Sequence, residues 1–338
     1  MDRILINGFG RIGRNLFKIL IKDSFFKNID IDINEPFMSI ENIVYLLRYD
    51  SIYGRFDDFL ITYEGNTIIL SKKNYTKKCN IFKFEELIFF ESPTRNYLLI
   101  DCSSQKNDIN YYNNIENKFY KILVTHWVDG IPYFVNGLSR DKKTLYDGST
   151  ISMGICDIVG IGTVINRFNK YCIDEINIVT MHPWLSYQNV LDGQPRDVIH
   201  KNSPNLQIGR ESINSIIPKK SSLNNIMEHI WGKKCSNISV MTYRVPTDIV
   251  TCCDLKIKFK NQYFSKDRIV ELLTCDFIEL CSDAMVSRDF INSKINCSVD
   301  INWIKIFKNT VHLTLWYNNE IGYCNNICST LKMIWRSK

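Results

Sequence analysis

RILINGFGRIG, residues 3–13, decides how the first half of the chain is read. An apolar run of strand length feeds directly into Gly8, Gly10 and Gly13, the G-x-G-x-x-G spacing. Ile12, Leu16, Ile19 and Leu20 then recur at helical intervals. NIDIDINEP, residues 28–36, follows with Ile29, Ile31 and Ile33 in strict alternation. The order is strand, glycine turn, helix, strand. In such a unit Gly8 makes the turn, Gly10 lets backbone approach a pyrophosphate, and Gly13 lets helix and strand pack closely; the helix's first N–H groups face the anion. An acid is expected at the end of the second strand, and Glu35 stands there. A carboxylate at that point accepts hydrogen bonds from a ribose 2′-hydroxyl and repels a 2′-phosphate, so the expected cofactor is NAD and not NADP. Further buried parallel strands are expected at YLLIDCSS (97–104) and KILVT (121–125), with Ser103 and Thr125 at the strand ends that would line the cofactor crevice. Between residues 57 and 95 the patterns support strands and loops, with a hairpin at EGN (64–66).

A chain of 338 residues is long for one hydrophobic core, so two domains with a cleft between them are expected. The fold class that follows is α/β: an N-terminal Rossmann NAD-binding domain over residues 1–151, completed by a C-terminal helix at 320–338, and an α+β catalytic domain over 152–319 with a mainly antiparallel sheet. TYRVP, CCDLKIKF and VHLTLWY read as strands of that sheet. The twelve cysteines form neither a short secreted framework nor a zinc set, and no basic-then-apolar leader precedes the first strand. A reducing cytosol and no structural metal are the expectations. The net charge of +6 is mild and its basic residues are scattered, which gives no prompt for nucleic acid. No apolar run approaches the ~18 residues needed to cross a bilayer.

TISMGICDIVG, residues 150–160, brings Cys156 to the start of a short helix expected over VGIGTVINRF, where the helix dipole favours a thiolate. His182 closes the strand-like INIVTMH. One helix-to-strand return would bring its imidazole beside the sulfur. A thiolate next to a histidine and facing a nicotinamide suits one chemistry well: addition to an aldehyde, then loss of hydride to NAD.

Several longer motifs resemble the glyceraldehyde-3-phosphate dehydrogenase family, and the similarity runs over essentially the whole chain. They are INGFGRIGRN (6–15), INEPF (33–37), YDSIYGRF (49–56), SMGIC (152–156), YRVPT (243–247) and WYNNEIGY (316–323). The resemblance implies that Cys156 is the nucleophile and His182 the base. It implies that Asn7, Arg11 and Ile12 join Glu35 in binding NAD, that Asn319 holds the nicotinamide carboxamide, and that Arg210, Arg244 and Ser221 receive phosphate groups. It also implies a homo-oligomer, a tetramer in which a long loop after the histidine packs near a neighbour's cofactor. That loop, residues 184–209, is about eight residues longer here than is usual in the family.

The resemblance breaks at the chemistry. The family follows its cysteine with Thr-Thr-Asn-Cys, and this chain has Asp157-Ile158-Val159-Gly160. Where a threonine hydroxyl helps hold inorganic phosphate, Asp157 offers a negative charge. Two unit charges ~5 Å apart at an effective dielectric of ~20 repel by roughly 3 kcal/mol, a hundredfold or more in occupancy. The same charge opposes a thiolate. Leu185 and Tyr187 replace hydroxyl or acidic residues near the substrate phosphate, and Trp184 adds bulk. The leading expectation is oxidation of a phosphorylated aldehyde through a thiohemiacetal and thioester, released by phosphate. An altered substrate, release by water, and a catalytically inactive NAD-binding assembly or regulatory protein stay open beside it.

Overall fold

The computed structural model describes residues 3–91, 96–103, 105, 107–139, 141–195, 206–233, 235 and 237–336. The chain divides into two compact units, Met1–Ile155 with Cys324–Lys338, and Cys156–Tyr323.

The first unit is built on one sheet. Strand β1 (Arg3–Asn7) leads through the glycine turn into helix α1 (Arg11–Lys22) and then β2 (Asp30–Asn34). Helix α2 (Ile40–Arg48) and a two-stranded ribbon of β3 (Tyr49–Asp50) and β4 (Gly54–Arg55) follow. Strands β5 (Leu60–Glu64), β6 (Thr67–Lys72) and β7 (Tyr75–Phe82) form an antiparallel meander. The hairpin expected at EGN is the β5–β6 turn, where Gly65 takes φ +54. Then come β8 (Tyr97–Asp101), α3 (Ile109–Ile115), β9 (Lys121–Val124), α4 (Lys143–Asp147) and β10 (Thr150–Ser152). The strand order is β10-β9-β8-β1-β2-β7-β6-β5, parallel from β10 through β7. All five residues of β8 and all four of β9 are buried, as strands covered on both faces must be. Phe90, stacked on Phe119, fills the core beneath them with Tyr112 and Ile115.

The glycines perform the steric work assigned to two of them. Gly8 takes φ +85, and a Cβ there would meet Ser103 Cα at 2.8 Å; a Cβ on Gly13 would meet the Gly8 carbonyl oxygen at 2.1 Å. Gly13→Ala therefore forces backbone apart at the β1–α1 turn, and the expected loss is roughly 1–3 kcal/mol of stability together with NAD affinity. Thermal unfolding and quenching of protein fluorescence by NAD would measure both, and a variant equal to wild type in each would contradict the packing role.

The second unit opens with a wide helical turn. Cys156 and Asp157 begin the helical run, Ile158–Gly162 has π geometry, and α5 (Thr163–Arg167) completes it. The short helix expected after Cys156 is present, with its first full turn wound to the rarer form. Thr163 Oγ1 donates to the Val159 carbonyl at 2.6 Å and accepts from Asn296 Nδ2 at 3.1 Å, which satisfies groups that the wide turn exposes. The sheet beneath comprises β11 (Ile173–Pro183), β12 (Ile217–Pro218), β13 (Asn237–Val245), β14 (Thr251–Phe259), β15 (Ile278–Cys281), β16 (Cys297–Asp300), β17 (Lys305–Phe307) and β18 (Thr310–Tyr317). Its order is β12-β13-β11-β14-β18-β16-β15, with β17 paired to β18. Most pairs are antiparallel; β11–β13 and β15–β16 are parallel. Helices α6 (Leu223–Trp231) and α7 (Lys266–Leu273) connect strands, and α8 (Ile321–Arg336) belongs to the first unit from Cys324 onward, where Trp335 packs edge-on to Phe26. The expected long loop at 184–209 lies partly outside the described residues, at 196–205. Among the described residues no helix is long and apolar enough to cross a membrane.

Candidate active site

Strand register assembles the site. His182 pairs with Arg244 on β13; Met181 opposite Cys252 sets His182 level with Thr251 on β14; Thr251 in turn faces Tyr317 on β18. Directly paired residues share a face of the sheet, so four adjacent strands present Arg244, His182, Thr251 and Tyr317 as one row. The helical turn carrying Cys156 and Asp157 lies over that row. Gly160 permits the approach, because a Cβ there would meet the Tyr317 ring at 2.8 Å.

The imidazole is held from both sides. Its Nδ1 is 2.9 Å from Thr251 Oγ1 and its Nε2 is 3.0 Å from Asp157 Oδ1. A carboxylate can only accept, so Nε2 carries the proton and donates it to Asp157. Tyr317 also donates to Asp157 Oδ1, at 2.7 Å, and the Cys156 thiol lies 3.7 Å from the same oxygen. The donor atoms of Cys156, Asp157 and His182 all fall within 4.8 Å of one another. The carboxylate that the sequence reading set against an incoming phosphate thus turns inward, between the sulfur and the imidazole.

Charge follows from this geometry. Burial raises the Cys156 thiol well above its ordinary value and the Asp157 carboxylate adds to the rise, while Arg244 pulls the other way. For Asp157 burial again opposes the charge, but the charge and hydrogen bond of His182, the Tyr317 hydroxyl and Arg244 together bring the carboxyl below its usual range. The resting site holds a neutral thiol beside an ionised carboxylate. Arg244 is buried, gives one N–H to the Pro183 carbonyl at 2.9 Å, and keeps its Nε without a protein partner among the described residues.

The other residues singled out in the sequence fall as follows. Arg210 is 70% exposed and paired with Asp192 at 3.1 Å. Ser221 Oγ accepts from the Leu223 N–H at the start of α6. Asn319 has a buried Oδ1 with no partner among the described residues. In the first unit Glu35 accepts from the Phe9 and Phe37 N–H groups, which fixes it at the glycine turn. Asn7 bridges Asp101 and Asn34 side chains, Arg11 pairs with Asp50, the Ile12 carbonyl accepts from Cys324, and the Thr125 hydroxyl donates to the Asp101 carbonyl. Thr251, which holds His182, and Tyr317, which holds Asp157, escaped the sequence reading. The alternation of their strands was the available signal.

The glycine turn fits a dinucleotide. Open space lies where Gly10 would carry a Cβ, no side chain caps the first turn of α1, and the buried Ser103 Oγ beside Gly8 has no partner among the described residues. Those residues would hold the pyrophosphate, with Glu35 at the ribose.

Comparisons with known proteins agree. Residues 2–105 match the model of the NAD binding domain of glyceraldehyde 3-phosphate dehydrogenase, and residues 156–319 match the model of that family's C-terminal domain. The chain is 27% identical to glyceraldehyde-3-phosphate dehydrogenase 2 of Kluyveromyces marxianus, over 99% of each chain. It is 24% identical to glyceraldehyde-3-phosphate dehydrogenase 4 of Caenorhabditis elegans, over 97% of each. NAD is the cofactor that this domain binds.

Proposed function

This chain belongs to the glyceraldehyde 3-phosphate dehydrogenase family, and from that premise we propose that it oxidises a phosphorylated aldehyde, glyceraldehyde 3-phosphate or a related sugar phosphate, on Cys156. The observation that carries the reading is the row on the second sheet: a buried arginine whose Nε has no partner among the described residues stands next to the histidine that faces the thiol. Cys156 Sγ would bond to the carbonyl carbon, its proton leaving to the Asp157–His182 pair. When bound, NAD supplies the hydride acceptor that turns the resulting thiohemiacetal into a thioester. Arg244 would neutralise the substrate's phosphate or the incoming acyl acceptor. Arg210 and Ser221 would add a second anion contact once Arg210 releases Asp192, and Asn319 would use its spare Oδ1 on the carboxamide.

Asp157 favours a second reading of the release step. With Nε2–H already donated, His182 is not a free base toward sulfur, and a carboxylate beside the thioester disfavours phosphate; water then becomes the competing acceptor, and an inactive NAD-binding protein is the limit of that trend. Twelve free cysteines suit a reducing cytosol. The exposed Val190, Leu191, Leu206 and Ile216 suit a homotetramer; light scattering on the eluted protein would count the protomers.

NADH absorbance decides the main question. Protein mixed with NAD, glyceraldehyde 3-phosphate and either phosphate or arsenate should produce NADH, and Cys156→Ser should not. Production at the same rate without either anion identifies water as acceptor. Intact NAD binding with no turnover on any phosphorylated aldehyde rejects the enzyme reading.

A further inference from the structure

We propose that Cys156, Asp157 and His182 form a binding site for one thiophilic divalent cation of the zinc class. Their Sγ, Oδ1 and Nε2 converge within 4.8 Å, with Oδ1 3.0 Å from Nε2 and 3.7 Å from Sγ. Metal–ligand bonds of about 2.0–2.3 Å in a tetrahedron place donors about 3–4 Å apart, so a cation enters with small side-chain shifts. The donors are one sulfur, one imidazole nitrogen and one carboxylate oxygen. That combination suits zinc or cobalt and is a poor one for magnesium or calcium, which take oxygen alone. Three protein ligands leave a fourth position for water or another small ligand.

Outer contacts are already built. Thr251 Oγ1 engages His182 Nδ1, which turns Nε2 toward the site, and Tyr317 donates to Asp157 Oδ1 at 2.7 Å, which fixes the carboxylate. Arg244 is the opposing charge, since it acts on both Cys156 and Asp157. A thiolate and a carboxylate cancel the dication and leave that one positive charge, open to an anion in the fourth position. Binding forms S–M, N–M and O–M bonds; the thiol proton passes to solvent, while the imidazole proton moves from Nε2 to Nδ1, where Thr251 Oγ1 accepts it, so metal uptake releases the thiol proton.

Cobalt titration tests the site. Metal-stripped full-length protein at pH 8, without NAD or aldehyde, should take up one equivalent of Co2+, with a near-ultraviolet sulfur-to-cobalt band and release of the thiol proton; equimolar Zn2+ should abolish the band. Cys156→Ser should remove the band. Asp157→Asn should weaken binding at least tenfold, and Thr251→Val, which keeps all three donors, by about 10–100-fold. NAD binding reports folding in each variant. If Cys156→Ser does not fold, wild type alkylated at Cys156 makes the same comparison. No band at one equivalent, a band that survives loss of Cys156, or unchanged affinity in Asp157→Asn each overturns the assignment. With neither NAD nor aldehyde present, the outcome is independent of the dehydrogenase reading.

Discussion

Asp157→Asn is expected to move the pH profile of Cys156 alkylation down by about one to three units. The asparagine keeps an oxygen that accepts from Tyr317 and His182 and removes only the charge. At a separation of 3.7 Å and an effective dielectric of ~20, that charge costs the thiolate roughly 4 kcal/mol, or about three units as an upper bound. The rate at pH 7 rises by less than the thiolate fraction does, because nucleophilicity falls with pKa; the net gain is about three- to fiftyfold. Iodoacetamide labelling must be read on the peptide that carries Cys156, since eleven other cysteines compete. A profile that stays put, or moves up, would mean the carboxylate does not hold the thiol neutral.

That prediction depends on a side-chain direction that sequence could not supply. The glycine turn was legible because its constraint is local: three glycines, an apolar strand before them and a helical repeat after them leave one arrangement. The parallel strands were legible for the same reason, as short runs buried on both faces. Cys156 and His182 could be read together from a helix start and a strand end. The sequence sets the Asp157 charge against both phosphate and the thiolate but not its direction, and the side chain points at His182, 3.7 Å from the thiol. Consecutive helical residues project about 100° apart, so their facing is set by packing. Here that packing is Gly160 against the Tyr317 ring, a contact between positions 157 residues apart in the chain. Thr251 and Tyr317 were within reach of pattern reading, but only register sets them level with His182. The π turn leaves no periodic mark in the sequence.

Removing His182 should expose how much the fold depends on that same pair. His182→Ala is expected to destabilise the protein by about 3–5 kcal/mol at pH 8, because it leaves the Asp157 carboxylate buried without its cationic or N–H partner. For a unit of this size that corresponds to a fall of roughly 6–20 °C in unfolding midpoint. The effect should depend on pH, with a sign fixed by Asp157. Its carboxyl is held low in the folded protein, largely through His182 against the opposing effect of burial, so it contributes stability above the unfolded value of ~3.9 and loses it as pH falls through the folded value. Without His182 only the Tyr317 hydroxyl and Arg244 hold the carboxyl down, and burial moves it toward its neutral form. The gap between variant and wild type should therefore be widest near pH 8 and narrow on acidification, as Asp157 takes a proton. Adding Asp157→Asn to His182→Ala should recover much of the loss at pH 8, since it removes the stranded charge. Thermal unfolding of wild type and the two variants at pH 8 and pH 5 measures each difference. A deficit that is the same at both pH values, or that the second substitution fails to reduce, would show that the imidazole stabilises the fold by packing instead of by holding the carboxylate.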